Sequence, residues 1–307
     1  MRSVLGEVRD HFVVDGNNLL HRAAYSARRR DSSPDPVYDD RACLLFLNSL
    51  RSILYHFSPR RVTVVWDGER AARRVALLSE YKETSLRTQR SKASASAALS
   101  CRTKLSSVLK RLSVRVSFLP NREADDLVWW LAQRSPTIVV SDDMDFYQLL
   151  PLRAAVYHPG KKELVTETTF FGKFGFSPEQ YLLYKCLVGD QSDNVDGVPK
   201  VGEETAKAIV QSSPSIVTVD DALARVSTFP ISESRRLAVS GGASILRRNW
   251  DVLRLGDTFT QAEVAALTAS QELTVTLDPT VTFDLTNLGL EWTQGVSTWV
   301  DPFRILR

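Results

Sequence analysis

The chain has little soft metal-binding chemistry. Its 307 residues include only four histidines and three cysteines. Cys43, Cys101 and Cys186 are far apart, odd in number and in no metal-ligand spacing, which excludes a cysteine-based zinc module and points to reduced, buried thiols. No apolar stretch approaches the roughly 20 residues of a membrane helix, and Met1-Arg2-Ser3-Val4 carries no signal-peptide pattern. A cytoplasmic protein without membrane contact is the expectation. The hydrophobic fraction of 43% and charged fraction of 24% are those of an ordinary soluble protein, long enough for one large or two modest domains.

Acidic residues, by contrast, are placed to a pattern. Nine of them fall in five short clusters: Asp15, Asp67, Glu123/Asp125/Asp126, Asp143/Asp145 and Asp190/Asp193. Three clusters follow apolar, β-prone runs, namely His11 to Val14, Val62 to Trp66 and Thr137 to Ser141. Carboxylates at the carboxyl ends of parallel strands converge on one crevice of an open α/β sheet. So many like charges repel, and some take up protons unless cations compensate them. Oxygen ligands without His or Cys partners point to Mg²⁺ or Mn²⁺ rather than zinc.

The net charge of +3 conceals an asymmetry. Residues 60 to 115 carry fourteen Lys/Arg against four Asp/Glu, hence +10 there and −7 in the remainder. A basic segment beside an acidic metal crevice suggests a polyanionic substrate; a solvated charged helix is the plain alternative.

Along the chain, strand-like runs at 11–15, 62–66, 114–118 and 137–141 alternate with helical patterns at 17–29, 39–56 and 123–133, and a short helix is expected near Phe146. This predicts an α/β fold with a mainly parallel sheet flanked by helices. A Pro-rich loop separates the first two helices. The stretch 69–112 is too long for an ordinary connection and reads as a mobile, basic, partly helical excursion over the site, with a disordered linker as the alternative. Helices joined by turns follow residue 166, and alternating Thr/Val segments at 271–300 suggest a small strand-rich tail. The expected units are a catalytic core at 1–165, a helical region at 166–260 and a tail at 261–307.

Asp15-Gly16 and Trp66-Asp67-Gly68 each place a glycine after the carboxylate, permitting a tight exit from the strand. Glu123 to Asp126 lies at a helix start, where the macrodipole favours negative charge and a cap is the alternative role. Asp142 suits a helix N-cap as well as a metal group. Gly197-Val198-Pro199-Lys200-Val201-Gly202 reads as a turn between helices, suited to non-specific contact with a phosphate backbone.

The ordered set DGNNL, WDG, EADD, SDDMDFYQL, GDQSDN and GVPKVG resembles the 5′-nuclease family, which includes phage 5′-to-3′ exonucleases, flap endonucleases and the N-terminal nuclease domain of bacterial DNA polymerase I. The resemblance covers residues 11 to about 255, and a chain of this length looks most like the free-standing phage enzymes, acting in a bacterial or phage-infected cell. It implies a PIN-like core, a helical arch and a helix-three-turn-helix that grips duplex DNA. By motif, Asp15, Asp67, Glu123 and Asp125, with Asp126 beside them, would serve one metal, and Asp143, Asp145, Asp190 and Asp193 a second. Two metals roughly 4 Å apart suit in-line phosphodiester hydrolysis in replication or repair. Tyr81-Lys82 matches the arch base, where the Lys82 ammonium would neutralise charge on the scissile phosphate. Arg87 and Arg90 are candidates for the arch arginine, and His21 for stacking on a terminal base. Gly197, Lys200, Gly202 and Lys207 would contact duplex DNA, with a K⁺ ion as a further family expectation there. Monomeric action on DNA with a 5′ flap or free 5′ end is implied, and RNA/DNA hybrids are admitted as substrates.

The chain departs from the pattern at Lys200, where glycine is frequent, and at Glu204, where lysine is frequent. Arg235, Arg236, Arg247 and Arg248 are candidates for further backbone contacts. Trp129, Trp130, Trp292, Trp299, His11, His56 and His158 read as packing or surface residues. A PIN-like endoribonuclease would share the carboxylates without needing residues 190–210. A haloacid-dehalogenase-like phosphatase requires a second aspartate where Asn17 stands. A DNA-binding protein without chemistry would be expected to have lost the carboxylates first.

Overall fold

A computed structural model describes residues 10–28, 35–83, 89–272, 277–278, 280–281, 285 and 296–306. Six strands, β1 (His11–Asp15), β2 (Arg61–Trp66), β3 (Arg115–Phe118), β4 (Thr137–Val140), β5 (Ala154–His158) and β6 (Glu163–Val165), form one sheet in the order β3-β2-β1-β4-β5-β6. The first five are parallel, and β6 closes the edge antiparallel to β5. Chain order reverses on either side of β1, so the carboxyl ends of β1 and β4 flank the switch point where an open sheet forms its crevice.

The strand residues divide by period two, as pleating requires. Phe12, Val14, Val62, Val64, Ile138 and Val140 face one buried cluster with the helices Gly16–Ala27, Asp40–Phe57 and Gln89–Arg111. Val13, Val65 and Val139 face the other, with the helix Ala124–Ala132 and the helices beyond residue 176. Both faces are therefore covered, which is why these strands read as unbroken apolar runs. Each fully buried valine contributes roughly 1.5–3 kcal/mol of burial. Leu183, Leu187, Ile209 and Leu246 share the cluster of Val13 and Val139, so no packing gap separates the helical region from the sheet.

Among the described residues, the long insertion contains two helices, Ala72–Leu77 and Gln89–Arg111. From Cys101 onward it is not a loose excursion, because Cys101, Leu105, Val108, Leu109 and Leu112 are buried against the sheet. The hairpin of β5 and β6 had no counterpart in the sequence reading. The expected strand-rich tail at 271–300 lies largely outside the described residues. Two described parts of the tail are helical: Gln261–Glu272, whose Gln271 side chain accepts from Thr63 Oγ1 and donates to Ser117 Oγ (2.9 Å each), and Val296–Trp299. The Trp299 indole donates to Asn48 Oδ1 at 2.9 Å, a packing role as expected. No helix among the described residues is long and apolar enough to cross a membrane.

Candidate active site

Asp15, the last residue of β1, caps the helix that follows: its Oδ1 accepts from the Asn18 N–H at 3.0 Å, and its Oδ2 from Ser141 Oγ at 2.9 Å. Gly16 is required here for packing, since a Cβ would meet the Trp66 ring at 2.6 Å. Asp67, just beyond β2, accepts from the Ala124 N–H at 2.7 Å and from Asn17 Nδ2 at 2.5 Å. Asp143, beyond β4, accepts from the Asp145 N–H at 2.8 Å. With Asp125 these three line one cleft of about 700 Å³. Burial, then repulsion from Asp67 and Asp125, pushes the Asp15 carboxyl up to about 7. Burial and Asp125 push Asp67 up to about 6, and burial and Asp145 hold Asp143 well above the usual carboxylate range.

Asp143 also borders an adjoining hollow with Asp145 and Asp190. There Asp145, Asp190 and Asp193 each present one oxygen within 4.8 Å of the others. Lys185, which the sequence reading missed, stands 2.7 Å from Asp145 Oδ1 and pairs with Asp190 as well. A lone lysine in the otherwise apolar helix Tyr181–Val188 was the available signal. Burial pushes Asp190 up, but hydrogen bonds from Lys185 and Ser192 outweigh it and leave the group below its ordinary range. Burial pushes Asp193 up to about 6, Lys82 opposing.

Lys82 links the two groups. Its Nζ lies 3.3 Å from Glu123 Oε2, 3.5 Å from Asp125 Oδ2 and 4.0 Å from Asp193 Oδ2. Its backbone is left-handed (φ 49°), and its N–H donates to Asp193 C=O at 3.0 Å, tying the arch base to the fifth cluster. Asn194 reinforces this by donating to Glu80 and Glu83 carbonyls at 2.9 and 2.8 Å.

Three expected site residues point elsewhere. Asp126 is fully buried; its oxygens accept from Arg74 Nη2 (2.7 Å), Arg74 Nη1 (3.1 Å) and the Gly256 N–H (3.1 Å). Glu123 is equally engaged, by the Ala71 N–H (3.1 Å), Arg74 Nη1 (2.7 Å), Tyr81 Oη (3.0 Å) and Lys82. Tyr81 is 3% exposed and so cannot meet DNA as placed. These residues brace the arch base instead of facing the cleft. The Arg87 position and the Arg90 side chain lie outside the described residues. His21 lines the cleft, with Nδ1 2.6 Å from Tyr38 Oη and its ring edge-on to Tyr25.

In the turn after Asp196, a Cβ on Gly197 would sit 2.2 Å from Val188 C=O, so glycine is obligatory. Lys200 is exposed and left-handed (φ 67°), the conformation that explains glycine as the frequent residue there. Gly202 caps the helix Glu203–Gln211 and faces open space. Lys207 pairs with Glu204 at 3.0 Å, so the acidic departure at 204 draws that ammonium sideways.

An open, mostly parallel sheet with four aspartates lining one cleft and three more grouped beside it, joined to a helical region, defines a resolvase-like hydrolytic nuclease. The family description "5'-3' exonuclease, N-terminal resolvase-like domain" matches residues 10–175, and "5'-3' exonuclease, C-terminal SAM fold" matches residues 176–289. The chain belongs to the 5′–3′ exonuclease family. Among its relatives, the 5′–3′ exonuclease of Aquifex aeolicus is 27% identical over 213 residues, covering 68% of this chain and 71% of that protein. The thermostable DNA polymerase I of Thermus thermophilus is 30% identical over 231 residues, 72% of this chain but 26% of the polymerase. The T5 D15 protein co-crystallised with metal ions shares the fold with a TM-score of 0.66 at 18% identity, over 91% of this chain and 99% of that one. The catalytic core of Rad2 in complex with DNA substrate follows at 0.57 and 11%, over 98% and 94%.

Proposed function

We propose that this nuclease hydrolyses phosphodiester bonds of DNA at free 5′ ends and 5′ flaps, using two divalent cations, Mg²⁺ by preference and Mn²⁺ as a substitute. The observation that carries the reading is the convergence of Asp15, Asp67, Asp125 and Asp143 in one cleft adjoining Asp145, Asp190 and Asp193. The donor set fits hard divalent ions: it is all oxygen, and buried carboxylates held near 6 and 7 are those whose charge a cation would stabilise. Asp15, Asp67 and Asp125, with Asp143 at the border, would hold one ion, and Asp145, Asp190 and Asp193 the other. Bound there, such a pair supplies water activation and charge neutralisation for in-line displacement.

The chain's own groups do the remainder. Asn17, Asn18 and Ser141 fix the carboxylates in place. Lys82 sets an ammonium between the two groups, where charge grows on the phosphate. The Gly197–Gly202 turn offers backbone and Lys200 to duplex phosphates, with K⁺ as a further ligand of that turn. A variant of the bacteriophage T5 flap endonuclease has been seen in a pseudo-enzyme-product complex with DNA and metal ions, which supports DNA as the substrate. RNA/DNA hybrids, a monomeric state and a cytoplasmic location belong to the same proposal. The test is cleavage of an end-labelled 5′-flap duplex with Mg²⁺, beside EDTA and beside Asp143→Ala/Asp145→Ala. Cutting near the junction that disappears in both controls is expected; no cutting by folded protein in Mg²⁺ overturns the reading.

A further inference from the structure

The helix Gln89–Arg111 turns Ala95, Ala98, Leu99 and Arg102 toward the cleft, a spacing that is one helical face. Two alanines leave room beside the strand ends, and Arg102 stands at the base of this wall. Its guanidinium is held on two sides. Nη1 donates to the Asp67 carbonyl at 2.5 Å, while the guanidinium carbon lies 4.1 Å from the Phe118 ring centroid and 5.8 Å from that of Trp66.

A structural clamp needs no more than this, and would leave the charge matched by a carboxylate or the group spent on carbonyls. Neither holds. Arg102 has no ion pair among the described residues, whereas Lys82, the other cation of the cleft, is surrounded by three carboxylates. Of the five guanidinium N–H groups, one is used on Asp67, and no other partner is found among the described residues. Its half-buried side chain lines the cleft. A planar fork without an ion-pair partner, already ordered by stacking, is the arrangement that binds phosphate at low entropic cost.

Resting on the nuclease reading of this cleft, we infer that Arg102 grips one phosphodiester of the strand lying in the cleft that Lys82 also lines. It is a substrate-contacting residue distinct from the arch arginine candidates at 87 and 90. Because the same guanidinium holds the Asp67 backbone, a phosphate bound there also fixes the loop that carries Asp67.

The experiment is a binding cycle by fluorescence anisotropy in Ca²⁺. Wild type and Arg102→Gln are titrated with 5′-flap DNA carrying a single neutral methylphosphonate, moved one position at a time through the 5′ arm and the junction. Arg102→Gln is expected to weaken the all-phosphate substrate about 10-fold. One methylphosphonate position should weaken wild type about as much, yet leave Arg102→Gln unchanged. Losses that multiply at every position overturn the inference. Should Arg102→Gln melt more than a few degrees lower, Arg102→Lys carries the cycle, since it keeps the charge and the aliphatic stem over Phe118; partial coupling at the same single position is then expected, and none overturns it. Parallel Mg²⁺ cleavage separates the two readings. Binding with position-specific coupling but no cutting sinks the nuclease reading alone, cutting without coupling sinks the Arg102 contact alone, and absence of DNA binding sinks both.

Discussion

Arg74 and Asp126 form a two-bonded ion pair, 2.7 and 3.1 Å, at a point where neither side chain meets solvent. The same guanidinium reaches Glu123 at 2.7 Å and the carbonyls of Val252 and Arg254 at 3.0 and 3.1 Å. Three parts of the molecule meet there: the arch-base helix Ala72–Leu77, the start of Ala124–Ala132, and the end of Ala243–Leu253. The pair thus fixes the arch base relative to both the acidic cleft and the helical region.

Removing one partner of a buried pair leaves the other charge uncompensated, at a cost of about 3–5 kcal/mol. Asp126→Ala should lose stability of that order in urea titrations with EDTA present. Asp125→Ala, one residue earlier but in the cleft, removes a like charge from beside Asp15 and Asp67. It should be neutral or stabilising under the same conditions while abolishing cleavage. Equal destabilisation by both variants would contradict the division of this cluster into a bracing and a cleft-facing half.

The raised carboxyls set a pH dependence with a definite sign. Asp15 is held up at about 7 and Asp67 and Asp193 at about 6, by burial first; neighbouring carboxylates add to it, and Lys82 opposes it at Asp193. In unfolded chain such groups release their protons near pH 4. Between about pH 4 and 7 the folded state therefore binds more protons, so without divalent ions stability falls as pH rises through that window. Divalent ions compete with those protons. The Mg²⁺-induced rise in melting temperature should grow steadily from about pH 5.5 to 8; a rise independent of pH would place the bound ion elsewhere.

Lys82 lies within reach of carboxylates from both groups. Loss of one preorganised donor to a developing oxyanion commonly costs roughly 10²–10³ in kcat. Lys82→Ala should show a fall of that size at saturating Mg²⁺ and DNA, with a much smaller change in DNA affinity. The check is single-turnover cleavage beside binding in Ca²⁺. A loss confined to affinity would make Lys82 a docking residue.

Much of this arrangement was legible because parallel strands covered on both faces leave unbroken apolar runs, and the carboxylates stand directly after them. His11 to Asp15, Val62 to Asp67 and Thr137 to Asp143 needed only the switch-point rule to be brought together. The division between Asp125 and Asp126 was not legible. Consecutive helical residues point about 100° apart, and which one faces the cleft depends on Arg74, 52 positions from Asp126 in sequence. Lys185 and Arg102 were hidden for a related reason: each acts through tertiary neighbours, Asp145 in one case and the Asp67 carbonyl with Phe118 in the other. The β5–β6 hairpin carries too few β-branched residues to announce itself, and is held by pairing to β4.

Lys200 occupies a left-handed backbone position with an exposed side chain, in a turn where the adjoining Gly197 packs against the Val188 carbonyl. A residue with a Cβ in that conformation costs roughly 1–2 kcal/mol relative to glycine, part of which glycine returns as unfolded-state entropy. Lysine at this position therefore carries a net penalty to the fold, which the proposed contact of its ammonium with a duplex phosphate would offset. Lys200→Gly should be more stable by about 0.5–1 kcal/mol. It should also bind duplex DNA more weakly at low salt, with the slope of log affinity against log salt reduced by about one. A thermal melt and a salt series by anisotropy read the two effects separately. A more stable variant with an unchanged salt slope would mean that the turn meets duplex through its backbone alone. A variant no more stable than wild type would mean that the strain is relieved by its neighbours.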